Sequence, residues 1–521
     1  MERSETVATC QRSGNICPKP GFCHVKKAPV PLKAQVSALT SRETKLLEAF
    51  MKHKFGFAAF LIPLGIRVIP EIIVGPYPVG WDIIAYYIPN TIDMASGRMN
   101  LWGIITSAPT LYAIAVPAYL LTKVNLVLIF KILGPILYGF LGWSIFRFCQ
   151  RRLHWSGNKA FYAVLFISAY FVTLRISWDA FHMELGLALF LLAESVSQAR
   201  SSVKPTLARV VLLSLAVLSN QLVGVVVVGS QLATLLSPSI RRNLRLVFLQ
   251  FPPAAIFLLI LYATLQTPLG PGLTVLGPVA GATNLTTNLS FLVYAYVFAF
   301  PPLLFGYKLR ERSVFAPWML VCGIGLALSL LPGHVFQDIG YRWVLLLSLP
   351  LLILAYEGYS KLRVSLAFTT KNWSGVLRIG VLVALASSAA LYAVLPSQSA
   401  LPFYTTFPQY VPSSMVQSSL PFSDYPNVVN AMLWLDSHLS SDSVLITQQA
   451  FYGWARSYLS PDKQVVNSLL AAPTSVISET GSYTHVYTVW WVNGTGWFQG
   501  SFPVGAKPLV SFGDLAVYEY R

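Results

Sequence analysis

Residues 55–93 read FGFAAFLIPLGIRVIPEIIVG-PYPVGWDIIAYYIPNTID. Positions 55–75 are apolar apart from Arg67 and Glu71. A helix of that length crosses the ~30 Å hydrocarbon core of a bilayer. From Pro76 the composition changes to prolines, glycine and aromatics around one acid, Asp82. That mixture is what a chain shows where it leaves the membrane at the headgroup level. The stretch therefore reads as a first transmembrane helix followed by an exterior loop.

The rest of the chain repeats the first half of this pattern. Of 521 residues, 55% are apolar and 11% charged, and mean hydropathy is +0.59. A soluble domain carries about 25% charged residues, so a soluble globule is excluded, and disorder with it. Further apolar segments lie at 124–146, 160–174, 180–197, 206–219, 221–236, 246–264, 290–306, 314–332, 343–357 and 376–396. The stretch 104–122 is apolar but broken by Pro109 and Pro117, and we read it as lying in the outer interface. The expected fold is an α-helical polytopic membrane protein of about 11 transmembrane helices. It divides into a basic tail (1–54), a transmembrane domain (55–396) with a first exterior loop at 76–123, and a C-terminal domain (397–521).

Charge sets the orientation. On this threading 27 of the 37 Lys and Arg residues fall on one side, ten of them in the tail. The positive-inside rule then places the N-terminus in the cytoplasm and the C-terminal domain outside, in a multi-pass protein of the cell membrane. It also accounts for the net charge of +17 without a nucleic-acid partner. Sequons at Asn284, Asn288 and Asn493 fall outside and one at Asn372 inside. The tail holds Cys10, Cys17, Cys23 and His24. Their irregular gaps lack a Cys-x-x-Cys pair and read as free thiols in a disordered tail more readily than as a zinc set.

After position 397 the chain turns polar, with seven acids, four Lys or Arg and no span. Asp424-Tyr425-Pro426 reads as a capping acid with proline in the first turn of a helix. Val444–Ile446 and Val486–Val492 read as strands, and 509–512 with 515–520 as a hairpin around Gly513-Asp514. This is a small extracytoplasmic α/β domain.

Only 20 acids occur in the chain, so those near the outer face stand out. Asp82 sits among aromatics at the membrane exit. Partial desolvation raises a carboxyl there toward the range of a general base; the plainer reading is an acid capping a short helix. Arg67 and Glu71 stand at i and i+4 within the first span. They read as an intramembrane ion pair or as a contact to a lipid phosphate. No Walker loop, dinucleotide fingerprint, His-Glu-x-x-His or Gly-x-Ser-x-Gly occurs, which argues against ATP-driven transport. A secondary transporter needs paired broken helices in two halves, and no such symmetry is visible.

An exterior-loop Asp shortly after the first span, followed by Tyr86 and Tyr87, resembles the GT-C superfamily of polyprenyl-phosphate-dependent glycosyltransferases. That superfamily includes protein O-mannosyltransferases, aminoarabinose transferase and the oligosaccharyltransferase catalytic subunit. Ala108-Pro109-Thr110-Leu111-Tyr112 is similar to the Pro-Pro-Leu-Tyr signature that opens an interfacial helix in that loop, with one proline of the two. The C-terminal runs 431–436 and 443–447 look like the exterior domains of archaeal-type members.

The resemblance implies a membrane enzyme that transfers a sugar from a polyprenyl (dolichyl) phosphate carrier to a lipid, glycan or protein acceptor. It implies Asp82 as base or metal ligand, with Mg or Mn as the metal. Many members carry a second acid directly after this Asp; here Ile83 stands there. Asp179, at an exterior turn 174–179, or Asp93 supplies the second carboxylate, or the site is degenerate and the chain is a non-catalytic scaffold or assembly subunit. Arg342, beside Tyr341 at the start of the tenth span, is the candidate for the donor phosphate, and Arg175 the second. Against these roles stands a snorkelling interfacial Arg. His182 and Glu184 follow Asp179 closely but do not share a clean helical face with it.

Overall fold

The computed structural model describes residues 54–196, 203–235, 251–266, 285–300, 302–303, 312–329, 340–365, 373–394, 420–468, 483–493 and 505–520. The tail cysteines with His24, the sequons Asn284 and Asn372, residues 331–339 and the expected domain boundary at 396–397 lie outside these.

The described chain is mostly helical with a small C-terminal sheet. The first span is α1 (Lys54–Ile73). The segment after it holds a short π-helix (Ile83–Tyr87), α2 (Ile88–Ala95), α3 (Leu101–Thr106) and α4 (Pro109–Thr122). Then come α5 (Leu126–Arg151), α6 (Gly157–Ser168), α7 (Phe171–Asp179), α8 (Phe181–Ser195), α9 (Val203–Ser219) and α10 (Gln221–Leu235). They are followed by α11 (Phe251–Gln266), α12 (Leu285–Tyr296), α13 (Arg312–Ser329), α14 (Gly340–Leu346), α15 (Ser348–Ser365) and α16 (Trp373–Val394).

Where the expected apolar segments are described they are largely helical, with a break at 169–170 inside 160–174 and a turn at 297–299 inside 290–306. Among the described residues three helices are long and apolar enough to cross a membrane: Lys54–Ile73, Leu126–Arg151 and Gly340–Lys361. A fourth arises if α6 and α7, bent by 70° at their junction, form one broken span. The stretch 104–122 is not one continuous helix. It breaks at Ala108, whose φ of +62° is left-handed, and Pro109 starts α4. At ~1.5 Å per residue α4 is too short to cross a bilayer, consistent with the reading that kept it out of the span count.

Segment 174–179, expected at a turn, is itself helical: it is the second half of α7, all nine of whose residues are buried, and the chain turns directly after it at Ala180. A helical turn brings Arg175 and Asp179 onto one face, where they form an ion pair, and this lets two charged groups enter the core. The end of α7 is held from α1. Arg67 Nε donates to Ser177 O at 2.8 Å and Nη2 to Trp178 O at 3.0 Å. A cation among the last carbonyls of a helix satisfies acceptors that lack intrahelical partners. Arg67 also pairs with Glu71 at 2.7 Å, and Glu71 with Lys131 of α5 at 2.8 Å. The ion-pair reading of Arg67 is therefore the one realised.

The C-terminal unit contains α17 (Tyr425–His438), β1 (Ser443–Gln448), α18 (Gln449–Tyr458), β2 (Gln464–Ser468), β3 (His485–Trp491), β4 (Ala506–Phe512) and β5 (Leu515–Tyr520). The sheet order is β2-β1-β3-β5-β4. β1 pairs in parallel with both β2 and β3, α18 forming the crossover from β1 to β2, and the β4–β5 hairpin is antiparallel. β2 and α18 carry no clear sequence signal. Asp424 makes no side-chain cap bond. A 3-10 turn, Phe422–Asp424, runs directly into α17 and puts Asp424 in a helical conformation that a capping residue does not adopt.

This unit packs on the segment that follows α1 and on the end of α7. Tyr425 lies edge-on to Tyr77 at 5.9 Å and 4.7 Å from Trp454, while Phe422 stacks 6.3 Å from Trp178. Trp454 is fully buried. A buried aromatic of this size removes roughly 200 Å² from water, worth about 5 kcal/mol before entropy costs. That exceeds the ~1 kcal/mol of a part-exposed ion pair. Apolar packing therefore carries the docking, and charge pairs refine its register.

Candidate active site

Asp82 enters the site through a tight turn. Gly80 has φ +92°, a region that residues with a side chain avoid. A Cβ built on it would lie 2.6 Å from Asp179 Cβ and 3.0 Å from Trp178 Cδ1. The loop is thus seated directly on the end of α7, and a hydrogen at Gly80 is all that fits. Asp82 follows two residues later and leads into the π-helix without a side-chain cap bond, so the capping reading of Asp82 is not realised. Single-turn π-helices are frequent at functional sites.

Four charged groups from three separate stretches act on one another here: Asp82, Asp179 and Arg175 of α7, and Arg342 of α14. Burial, and after it the Asp179 charge, push the Asp82 carboxyl up to about 7, against the pull of Arg342 and Arg175. The two arginines differ. Arg175 is buried and engaged by Asp179. Arg342 is exposed, and among the described residues no ion pair includes it; its Nε donates to Tyr341 Oη at 3.0 Å. Arg342 is therefore the cation open to an incoming anion.

Aromatic side chains that sequence reasoning did not assign complete the surroundings. Tyr87 Oη donates to Asp179 O at 2.7 Å. Asn90 Nδ2 donates to Tyr112 Oη at 3.0 Å. The His182 ring lies 4.7 Å from that of Tyr87 and 5.3 Å from that of Tyr112. Burial pushes both phenols above their ordinary range, so they stay neutral and act as hydrogen-bonding walls. The run Tyr86-Tyr87 and the Leu111-Tyr112 signature were the available signals.

Asp93 has other neighbours. It pairs with Arg98 at 3.0 Å and with Arg456 of α18 at 2.8 Å, and it is not among the groups that perturb Asp82. Glu184 is buried on α8, and among the described residues neither of its oxygens has a hydrogen-bond partner. Among the described residues no three His, Cys, Asp or Glu side chains stand together as a metal site. Of the two carboxylates expected to hold Mg or Mn, Asp179 is already engaged by Arg175.

The sequence matches no known family profile and no curated protein. Among solved structures the chain is similar to the cryo-EM structure of the arabinofuranosyltransferase AftD from Mycobacteria. The TM-score is 0.53 at 15% identity, over 89% of this chain and 40% of that one. A mutant form of AftD aligns with a TM-score of 0.49 at 13% identity, over 89% and 41%. The chain thus spans about two fifths of that protein's length. The likeness is one of fold.

Proposed function

We propose that this chain is a membrane glycosyltransferase that takes a sugar from a polyprenyl-phosphate carrier on the extracytoplasmic face. The observation that carries this reading is the convergence of Asp82, Asp179, Arg175 and Arg342, with Arg342 exposed and, among the described residues, in no ion pair. A catalyst for this chemistry needs a base for the acceptor and fixed positive charge for the leaving phosphate.

In the proposed reaction the ionised Asp82 carboxylate takes the proton of an acceptor hydroxyl or amide. The acceptor atom forms its bond to the anomeric carbon as the bond from that carbon to the phosphate oxygen breaks. Polyprenyl phosphate departs with the electron pair. Arg342, which can grip two phosphate oxygens at once, holds the developing charge with Tyr341 beside it and Arg175 behind. Asp179 keeps Arg175 in place and raises the basicity of Asp82. The acceptor is a glycan, lipid or protein. About eleven spans, a cytoplasmic N-terminus and an exterior C-terminal unit belong to the same proposal, and the Lys/Arg distribution supports them. Mg or Mn is not required by this scheme, and transfer in EDTA tests that.

The second reading is a GT-C-fold scaffold without activity. Ile83, where many relatives of this fold have a second acid, favours it. The experiment incubates purified protein with polyprenyl-phosphate sugars and scores transfer, in wild type and Asp82→Asn. Transfer that is lost in the variant supports the enzyme. Transfer equal in both removes Asp82 as the base, and no transfer and no donor binding in wild type supports the scaffold.

A further inference from the structure

The helix α18 touches the Asp82 turn on its backbone. A Cβ on Gly453 would lie 2.3 Å from Ile84 O and 2.7 Å from Ala85 Cα. Only glycine lets the two backbones approach so closely. One turn later on the same helix, Arg456 Nη2 reaches both oxygens of Asp93, at 2.8 and 2.9 Å. Asp93 lies on α2, which continues the π-helix. The opposite side of α18 is anchored in the sheet unit, where Phe451 packs 4.8 Å from Trp491 of β3. The helix is therefore a strut between the sheet and the segment that carries Asp82. The contact is made at two points, one steric and one electrostatic, on either end of residues 83–95.

We infer that the C-terminal α/β unit is a working part of the site. Helix α18 positions the Asp82 turn through Gly453, and the Arg456–Asp93 pair ties it there, so that Asp93 is a positioning residue and not a proton acceptor. The inference rests on the reading of Asp82 as the base. Apart from the strut, Asp82 faces Asp179 and Arg175 from α7, Arg342 from α14, Tyr87 from its own turn and Tyr112 from α4. Loosening the strut leaves those groups in place and lets water reach Asp82.

The test uses the full chain in detergent, with Arg456→Met, Arg456→Lys and Gly453→Ala. Hydrogen exchange is followed in peptides covering 80–95, and the rate of sugar transfer is followed against pH. Loss of a part-exposed pair raises local opening about fivefold. Arg456→Met is expected to show that rise in 80–95 with little change in β1 and β3. The acid limb of its rate profile is expected to move below the wild-type position near 7, and Arg456→Lys to restore both. Gly453→Ala is expected to give a larger rise, roughly tenfold or more, because a methyl against a carbonyl oxygen must displace one backbone. Unchanged exchange in 80–95 in folded Arg456→Met and Gly453→Ala proteins overturns the inference. If the wild type transfers no sugar, the proposed function fails while the exchange data still decide the strut.

Discussion

Gly80→Ala tests whether the loop is seated on α7 as described. The added methyl meets two penalties. At φ +92° a side chain costs about 1–2 kcal/mol against the backbone. A Cβ 2.6 Å from Asp179 Cβ and 3.2 Å from Trp178 O forces a shift of the loop or of α7, costing about 1–3 kcal/mol. The docked turn is thus disfavoured by about 2–5 kcal/mol. At ~1.4 kcal/mol per tenfold, transfer should fall between roughly 30-fold and a few thousand-fold. The thermal midpoint of the helical domain should move little, because the loop lifts before the helices part. Gly97→Ala is the control: its φ is +71°, but nothing lies within 4 Å of a Cβ there. It carries the backbone strain of about 1–2 kcal/mol without the collision and should cost no more than about 30-fold. The measurement is initial-rate transfer from a polyprenyl-phosphate sugar, with a thermal melt on the same samples. Full activity in folded Gly80→Ala would refute the close seating of Asp82 beside Asp179.

Three further outcomes follow from the same geometry. With Asp82 pushed up to about 7, the transfer rate should rise with pH through that value, since the base works when ionised. The folded form holds this proton more tightly than the unfolded chain, whose carboxyl titrates near 4. The group's contribution to stability is therefore lost as pH rises from about 4 to 7, and Asp82→Asn should melt with a flatter pH dependence over that window. Arg67→Met leaves Glu71 buried beside Lys131 alone and frees the carbonyls of Ser177 and Trp178; breaking such a pair costs about 3–5 kcal/mol, read as a lowered midpoint in detergent. Arg342→Lys keeps the charge and loses the fork, so KM for the donor should rise severalfold with a smaller change in kcat, whereas Arg342→Gln should lower both kcat and kcat/KM; equal kinetics in all three proteins would remove Arg342 from the phosphate role.

The parts legible in the sequence were those written in local pattern. The apolar runs gave the helices, and the break between 75 and 82 gave the loop. Turn residues around Gly513 gave the hairpin, and β-branched runs gave β1 and β3. What was not legible depended on tertiary satisfaction of charge. Segment 174–179 lay between the apolar runs 160–174 and 180–197, so it read as the turn joining them. The i, i+4 spacing of Arg175 and Asp179 was in view, but only the buried helix shows that each neutralises the other. Arg67 was read for its neighbour in the chain, whereas half of its work is on carbonyls 110 and 111 residues away. Gly453 gives no local signal at all, since close approach of two backbones leaves only a missing side chain as its trace.

The tie between Asp93 and Arg456 spans 363 residues, and that separation has a bearing on biogenesis. A ribosome delivers the loop early and its brace late. The segments that carry Asp82 and Asp179 are synthesised well before α18, so residues 83–95 gain their brace only when synthesis is nearly finished.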